Sequence, residues 1–272
     1  MSYYANNAWL QALSDAYTFG SPFAPRGAHT RELLGRKIQV HMKWPIITII
    51  ERKLSYKFMA AEALWIMSGD NKVETISKYN KNIAKYSDDG LTYFGAYGPK
   101  FVDQIAYAAR TLHEDHDSRQ AVINIWREKP HKTKDVPCTL SVQWMIRYGK
   151  LDCFVSMRSS DIWLGLPYDI FNFSMMSQYL MLYLEKLGLT VGIGDLHLTA
   201  ASMHLYERDV QAAEKVLNYA SPEAAFDPDR CMRTIEPTIA SFVDFEEFFQ
   251  YLTYARNHGF DLERGNVANQ SN

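Results

Sequence analysis

The stretch Ile170 to Leu187, IFNFSMMSQYLMLYLEKL, is almost wholly apolar and long enough for about five turns of helix. A helix of this composition has no broad face suited to water, so it must be buried on most sides. The rest of the chain has to supply that cover. With 272 residues, 47% of them hydrophobic and 14% aromatic, it can do so. We read residues 1–272 as a single catalytic domain.

Upstream, Thr139 to Arg147 and Leu151 to Arg158 are β-like runs flanking Tyr148-Gly149-Lys150, a hairpin signal. The segment up to about Thr18 has helical apolar spacing. Residues 19–31 are rich in Gly and Pro and read as a loop. Lys37 to Met42 is expected to be a strand. Ser55 is a plausible N-cap for a helix running to about Ser68, closed by Gly69. A second helix is expected over Val102 to Leu112, and a buried strand over Gln120 to Trp126. Strand-like and helical segments mix without regular alternation. This favours an α+β fold, a mixed β-sheet with helices packed around the long buried one, over a doubly wound sheet.

Several partner classes lose support. The 29 basic residues against 31 acidic ones leave a formal charge of −2, which offers no footprint for nucleic acid or a membrane surface. The N-terminal MSYYANNAWLQAL does not read as a signal peptide, and runs such as Trp44 to Ile50 are too short to span a bilayer. Cys138, Cys153 and Cys231 form no Cys-x-x-Cys pair, so neither a metal site nor a disulfide framework is expected. The chain is expected to be cytoplasmic.

Individual residues admit bland readings. A lone Cys such as Cys138 is more often a small buried hydrophobe than a nucleophile. Arg158 with Ser159 suits a phosphate, but Arg158 and Asp161 could equally form a surface pair. Asp169 could simply cap the helix beginning at Ile170. Glu62, inside the apolar run Phe58 to Met67, must be paired or functional, because an unpaired buried charge is costly. His204 and Tyr206 would face one side of a strand.

In combination these residues are far more specific. In order come Glu62-Ala63-Leu64-Trp65 with Gly69-Asp70, Tyr97-Gly98, Asp117-Ser118-Arg119, Pro137-Cys138 and Gln143. Arg158-Ser159 with Asp161, Leu164-Gly165 with Pro167, and His204-Leu205-Tyr206 follow. From about Arg26 to Tyr206 the chain resembles the thymidylate synthase superfamily. The resemblance implies that Cys138 adds to C6 of a pyrimidine nucleotide and makes C5 nucleophilic toward the one-carbon unit of 5,10-methylenetetrahydrofolate. It implies that Glu62 handles water and protons around the ring, with Tyr97 in the same network. Arg26, Arg158 and Ser159 would hold the 5′-phosphate, joined by Arg119 from the partner subunit of a homodimer. Gln143 would line the nucleotide site. Asp161 would face pterin and base, near Gly165. His204 and Tyr206 would bind the sugar 3′-hydroxyl.

Departures from the family pattern bear on substrate and product. Synthases carry Asn at the place of Asp169, and Asp there is the mark of the phage-type deoxycytidylate hydroxymethylases. A carboxyl oxygen can accept from the cytosine N4 amine, the N3 bond then needing one proton on either Asp169 or N3, whereas uracil O4 would face an acceptor. Thr139 and Met157 also resemble those enzymes. Ile83 falls where synthases stack folate on a Trp, and the tail Gly265 to Asn272 is polar. Both favour water over hydride as the last reactant, hence a hydroxymethyl product. Gln120 stands where the family has a second Arg. The readings weighed are a dCMP hydroxymethylase, a CMP hydroxymethylase of a nucleoside-antibiotic pathway, a dCMP methyltransferase and an idle nucleotide- or RNA-binding relative.

Overall fold

A computed structural model describes residues 4–129, 131–219 and 242–260. Cys231 and the tail Gly265 to Asn272 lie outside the described residues.

The apolar stretch forms α5 (Leu166–Lys186), and residues along nearly its whole length are buried. On one side it lies against a six-stranded mixed sheet. The strands are β1 (Ser21–Phe23), β2 (Thr30–His41), β3 (Val122–Asn124), β4 (Thr139–Arg147), β5 (Lys150–Asp161) and β6 (Gly192–Tyr206). Their order is β1-β2-β6-β5-β4-β3, antiparallel throughout except for the parallel pair β5–β6. On its other sides α5 meets α1 (Ala5–Phe19), α2 (Tyr56–Met67), α4 (Tyr97–Glu114) and α7 (Phe245–His258). Two further helices, α3 (Val73–Ser77) and α6 (Glu207–Tyr219), complete the described α-helices. The arrangement is α+β, as the sequence pattern implies.

Polar groups inside α5 find partners locally. Ser174 and Ser177 donate to carbonyls one turn back, and Trp144 of β4 donates its indole N–H to Ser177 Oγ at 2.9 Å. That bond fixes the height of α5 over the sheet. Trp9 of α1 does the same at the strand end, donating to the Ile162 carbonyl at 2.7 Å.

Several boundaries differ from the sequence expectation, each for a physical reason. The Gly/Pro segment 19–31 contains β1, because Pro is tolerated on an edge strand that needs to pair on one side only. β2 starts seven residues before Lys37. Gly35 inside it takes φ +61 and interrupts the alternation that marks a strand. The expected strand Gln120 to Trp126 shortens to β3, an edge strand of which only Ile123 is buried. α4 starts five residues before Val102, since Pro99 falls in its first turn, where a missing N–H costs nothing. α5 likewise starts at Leu166 with Pro167 in its first turn. Gly165 occupies the cap position and Asp169 lies within the helix, so the capping reading of Asp169 does not hold. Ser55 does cap α2, accepting from Phe58 N at 3.3 Å, and Gly69 follows at φ +72. The hairpin at Tyr148-Gly149 has φ +52 and +71, the left-handed pair of a tight β-turn.

Gly98 sets how closely α4 approaches the end of α2. A Cβ there would stand 2.8 Å from the Asp70 carbonyl oxygen and 3.1 Å from that of Ile66. These are backbone atoms that cannot swing aside. Gly98→Ala is therefore expected to destabilise the fold. Overpacking costs about 1–3 kcal/mol, more than the roughly 1 kcal/mol that Ala gains in helix propensity. The readout is a lower urea midpoint at unchanged slope. A midpoint equal to that of the wild type would show that α4 retreats without cost.

Candidate active site

The sheet register gathers chemistry at one end. Parallel β5 and β6 finish side by side, with Asp161 opposite His204, while antiparallel β2 and β4 begin there, with Thr30 opposite Tyr206 and Thr139 opposite Met157. Cys138 immediately precedes β4. The loop before it is tied down twice. Asp135 accepts from Gly95 N at 2.7 Å. Arg158 donates from Nε to the Pro137 carbonyl at 2.9 Å and from Nη2 to the Val136 carbonyl at 3.0 Å.

The same guanidinium reaches the thiol. Arg158 Nη2 lies 3.7 Å from Cys138 Sγ, and Ser159 Oγ lies at 3.7 Å from the same sulfur. Arg158 Nη1 also donates to Ser159 Oγ at 3.0 Å. Burial pushes the Cys138 thiol above its ordinary value, while the Arg158 charge and the Ser159 hydrogen bond pull the other way. Cys153 sits fully buried under α5 with its thiol pushed up to about 12, which fits a structural role.

Three helices bring polar groups to this end of the sheet. From α4, Tyr97 accepts through its phenol oxygen from Thr139 N at 3.2 Å and Thr139 Oγ1 at 3.0 Å. Its ionisation is raised well above the usual value, first by burial and then by Asp169 and Cys138. From α5 comes Asp169, raised well above the carboxylate range by burial and by its neighbours Glu62 and Asp161. The shift favours the protonated form of Asp169. From α2 comes Glu62, raised by burial to about 7 although the Asn172 amide opposes the shift. These mutual influences place Cys138, Tyr97, Asp169 and Glu62 in one polar cluster.

Asp161 ends β5, and its Oδ1 accepts from the backbone N–H groups of Trp163 and Leu164, both at 2.9 Å. It thereby shapes the turn in which Gly165 leads into α5. His204 and Tyr206 share one face of β6, their rings edge to face at 5.0 Å. Burial lowers the His204 pKa, so its imidazole is neutral at pH 7. Ser202 connects His204 Nδ1, at 3.4 Å, to the Glu32 carboxylate.

Other expected site residues lie further out. Arg26 is exposed at φ +55 in the turn Pro25–Gly27 between β1 and β2, on the Tyr206 side of the sheet end. Ile83 packs with Tyr168 on a second apolar cluster around Phe58, Ile76 and Tyr93. Gln143 is not brought to Cys138. Val142 and Trp144 take the buried face of β4, so Gln143 points to the opposite face, where its Nε2 donates to the Arg119 carbonyl at 2.7 Å. Gln143 thereby holds the exposed loop that carries Arg119. Sequence reasoning missed Asn172 and Arg52. The one signal for Asn172 was an amide three residues after Asp169 in an apolar helix. Arg52 is buried and donates to the Trp163 carbonyl. Among the described residues no His/Cys/Asp/Glu cluster could hold a metal, and no helix is long and apolar enough to cross a membrane.

Comparison with known proteins agrees with this geometry. The family described as Thymidylate synthase matches residues 8–248. A deoxyuridylate hydroxymethyltransferase of Bacillus phage SP01 is 30% identical over 227 residues, covering 75% of this chain and 57% of that protein. A protein of the same name from Pseudomonas phage M6 is 32% identical over 206 residues, covering 71% and 55% respectively. The chain thus spans little more than half the length of these relatives.

The Arg158–Cys138 contact has a measurable consequence. Arg158 favours the thiolate, so Arg158→Gln is expected to move the pH dependence of Cys138 alkylation upward and slow it at pH 7 on the order of tenfold. Arg158→Lys, which keeps the charge, should fall between. Mass spectrometry of the Cys138 peptide after iodoacetamide gives the rate. Equal rates in wild type and Arg158→Gln would disconnect the guanidinium from the sulfur.

Proposed function

The chain belongs to the thymidylate synthase family, and from that premise we propose that it transfers a one-carbon unit to C5 of dCMP and releases 5-hydroxymethyl-dCMP. Action of residues 1–272 as one catalytic unit is part of the same proposal. The observation that carries it is Asp169, a half-buried carboxyl on the first turn of α5 whose pKa is raised and which is electrostatically linked to Glu62, Cys138 and Tyr97.

In this reading the Cys138 sulfur bonds to C6, the electron pair passes to C5, and C5 bonds to the incoming carbon. 5,10-Methylenetetrahydrofolate supplies that carbon at the oxidation level of formaldehyde. The residues at hand fit such a co-substrate: an apolar shelf of Ile83 and Tyr168 beside the polar turn of Asp161 and Gly165. Glu62, titrating at about 7, takes up and returns protons around the ring. Loss of the C5 proton, with cleavage of the bond between the transferred carbon and the folate nitrogen, would release tetrahydrofolate and leave an exocyclic methylene on C5. Water adds to it, the electron pair returns through the ring, and the C6–S bond breaks. Arg26, Arg158 and Ser159 are the phosphate ligands of this reading, with His204 and Tyr206 at the sugar.

Asp169 brings the proton that the cytosine edge requires. Its O–H donates to N3 while its other oxygen accepts from the N4 amine. N3 is a basic ring nitrogen, so the proton is shared and the pair is charge-assisted, like carboxylate with guanidinium. A neutral carboxyl can also turn its O–H toward uracil O4, but that carbonyl is a much weaker base. Preference for cytosine is thus one of bond strength rather than strict exclusion. A second reading, hydroxymethylation of dUMP, is favoured by the names of the two phage relatives. Mass spectrometry of products from dCMP, CMP and dUMP with methylenetetrahydrofolate separates the two. Asp169→Asn removes the shareable proton and is expected to move preference toward dUMP by about 5- to 150-fold in relative kcat/KM, the value of roughly 1–3 kcal/mol. An unchanged dCMP:dUMP ratio would end the base-reading role of Asp169.

The homodimer belongs to the same proposal. Gln143, Phe154 and His197 form a row across the face of the sheet opposite α5, with Phe154 and His197 stacked at 4.6 Å. Exposed Arg119 sits at the edge of that row, held by Gln143. A second subunit packed on this face would receive Arg119 at its own phosphate. Mixing inactive Cys138→Ala with inactive Arg119→Ala subunits is then expected to restore activity in one site per mixed dimer. Demonstrated exchange without returning activity would exclude the shared site.

A further inference from the structure

We propose that Asn172 is a positioning residue for Glu62, whose Oε2 its Nδ2 holds at 2.7 Å, so that the other carboxyl oxygen is the one presented to the base. This rests on reading Glu62 as the proton-handling group of the reaction.

Asn172 is 4% exposed and lies in the interior of α5. An aliphatic side chain would suit that environment better. The other small polar residues of the helix interior, Ser174 and Ser177, are satisfied by carbonyls of their own helix. Asn172 instead reaches across to α2 and spends its N–H₂ on Glu62. Its Oδ1 is buried with no hydrogen-bond partner in the protein. A buried amide left half unsatisfied is costly to the fold, so folding alone does not explain its presence. The bond it does make goes to the one carboxyl of the site that titrates at about 7.

Position along α5 strengthens the inference. Asn172 follows Asp169 by three residues, so the two share a helix face. One Glu62 oxygen is committed to the amide, and Asp169 senses the Glu62 charge from the turn above. The same face thus carries a group for the base edge and a group that fixes the proton carrier.

The sign of the electrostatic effect follows from the donor. An N–H bond to a carboxylate favours the charged form and lowers its pKa, and burial raises it. Without the amide, burial alone acts, and Glu62 holds its proton more tightly at neutral pH. Tyr168 and Asp169 of α5 are the ionisable groups that feel Glu62 directly. Tyr97 of α4 faces Asp169. Of the other helices on α2, α7 brings the buried Tyr251 phenol and Arg256, which bonds Asn257, and α3 brings exposed Glu74, paired with Lys78. None of these can replace the Asn172 donor.

The test uses Asn172→Ala and Asn172→Leu in the full chain. Leu refills the volume without a donor, and thermal melts establish that each variant is folded. Carboxyl 13C NMR of the nucleotide-free protein, with the Glu62 signal assigned from Glu62→Gln, reads the titration directly. Both variants are expected to raise it by about one unit or more, the equivalent of one charge-assisted hydrogen bond. The acid limb of kcat against pH should move up in parallel, with kcat at pH 7 reduced on the order of tenfold and nucleotide KM nearly unchanged. An unmoved Glu62 titration in Asn172→Leu, or wild-type kcat in that variant, would reduce Asn172 to packing and overturn the proposal. The titration requires no substrate. Failure of wild type to turn over any pyrimidine nucleotide would count against the proposed reaction and leave the Glu62–Asn172 result standing.

Discussion

Burial of α5 between the sheet and helices α1, α2, α4 and α7 is the constraint on which the rest of the molecule depends. An apolar helix free to slide would place no side chain reproducibly. Here Trp144 to Ser177 and the interlocked Met175, Met176 and Leu180 fix its height and rotation against β4 to β6. The first turn, anchored by buried Leu166 and Pro167, lies at the end of the sheet where β5 and β6 finish. Asp169 is carried there by packing that lies up to three turns away. Asn172, one turn further in, meets Glu62 on α2 for the same reason. The apolar contacts are therefore what aim the polar groups.

Aiming them there has an electrostatic consequence. Glu62, Asp169 and Asp161 converge within range of one another, and desolvation is the first cause of the raised pKa of both Glu62 and Asp169. Glu62, with its pKa at about 7, is partly protonated at pH 7, and Asp169 is shifted in the same direction. That relieves what would be strong mutual repulsion and turns acceptors into donors. The thiol feels the same burial but has a cation beside it. Among the described residues Arg158 has no carboxylate partner. Its hydrogens go to two loop carbonyls, to Ser159 and to the sulfur. A guanidinium not neutralised by an ion pair can favour a thiolate or a phosphate at the site.

Much of this was legible in the residues, and the limits of legibility are physical. The buried helix, the hairpin after Cys138 and the Ser55 cap follow from local periodicity and turn chemistry, and they lie where the pattern puts them. Helix starts were placed too late at Val102 and Ile170 for one reason. Pro99 and Pro167 look like breakers in a sequence but sit in first turns, where no hydrogen bond is lost. β2 was read short because Gly35 breaks its alternation. Convergence of Cys138, Glu62, Tyr97 and Asp169 came from motif resemblance, since nothing local in residues far apart in the chain says that they meet. A motif fixes the position of Gln143 along the chain and not its face. Alternation with Val142 and Trp144 decides the face, and that requires knowing which side α5 covers.

The partition of protons among the clustered groups bears on how one scaffold can serve different pyrimidines. A buried amide in place of Asp169 would present a donor and an acceptor in a fixed sense, set by whatever its neighbours bond. A buried carboxyl has no fixed sense, because its proton can sit on either oxygen, and the more basic edge of the ligand then gains the stronger bond. Under the proposed reading Asp169 trades exclusion for strength, and its discrimination depends on holding a proton beside Glu62. The two carboxyls repel when both are ionised, so each extra degree of ionisation at Glu62 raises the proton affinity of Asp169. Under the proposed reading, base recognition and proton handling are properties of one coupled pair, and the Asn172 amide, by favouring the charge on Glu62, acts on both.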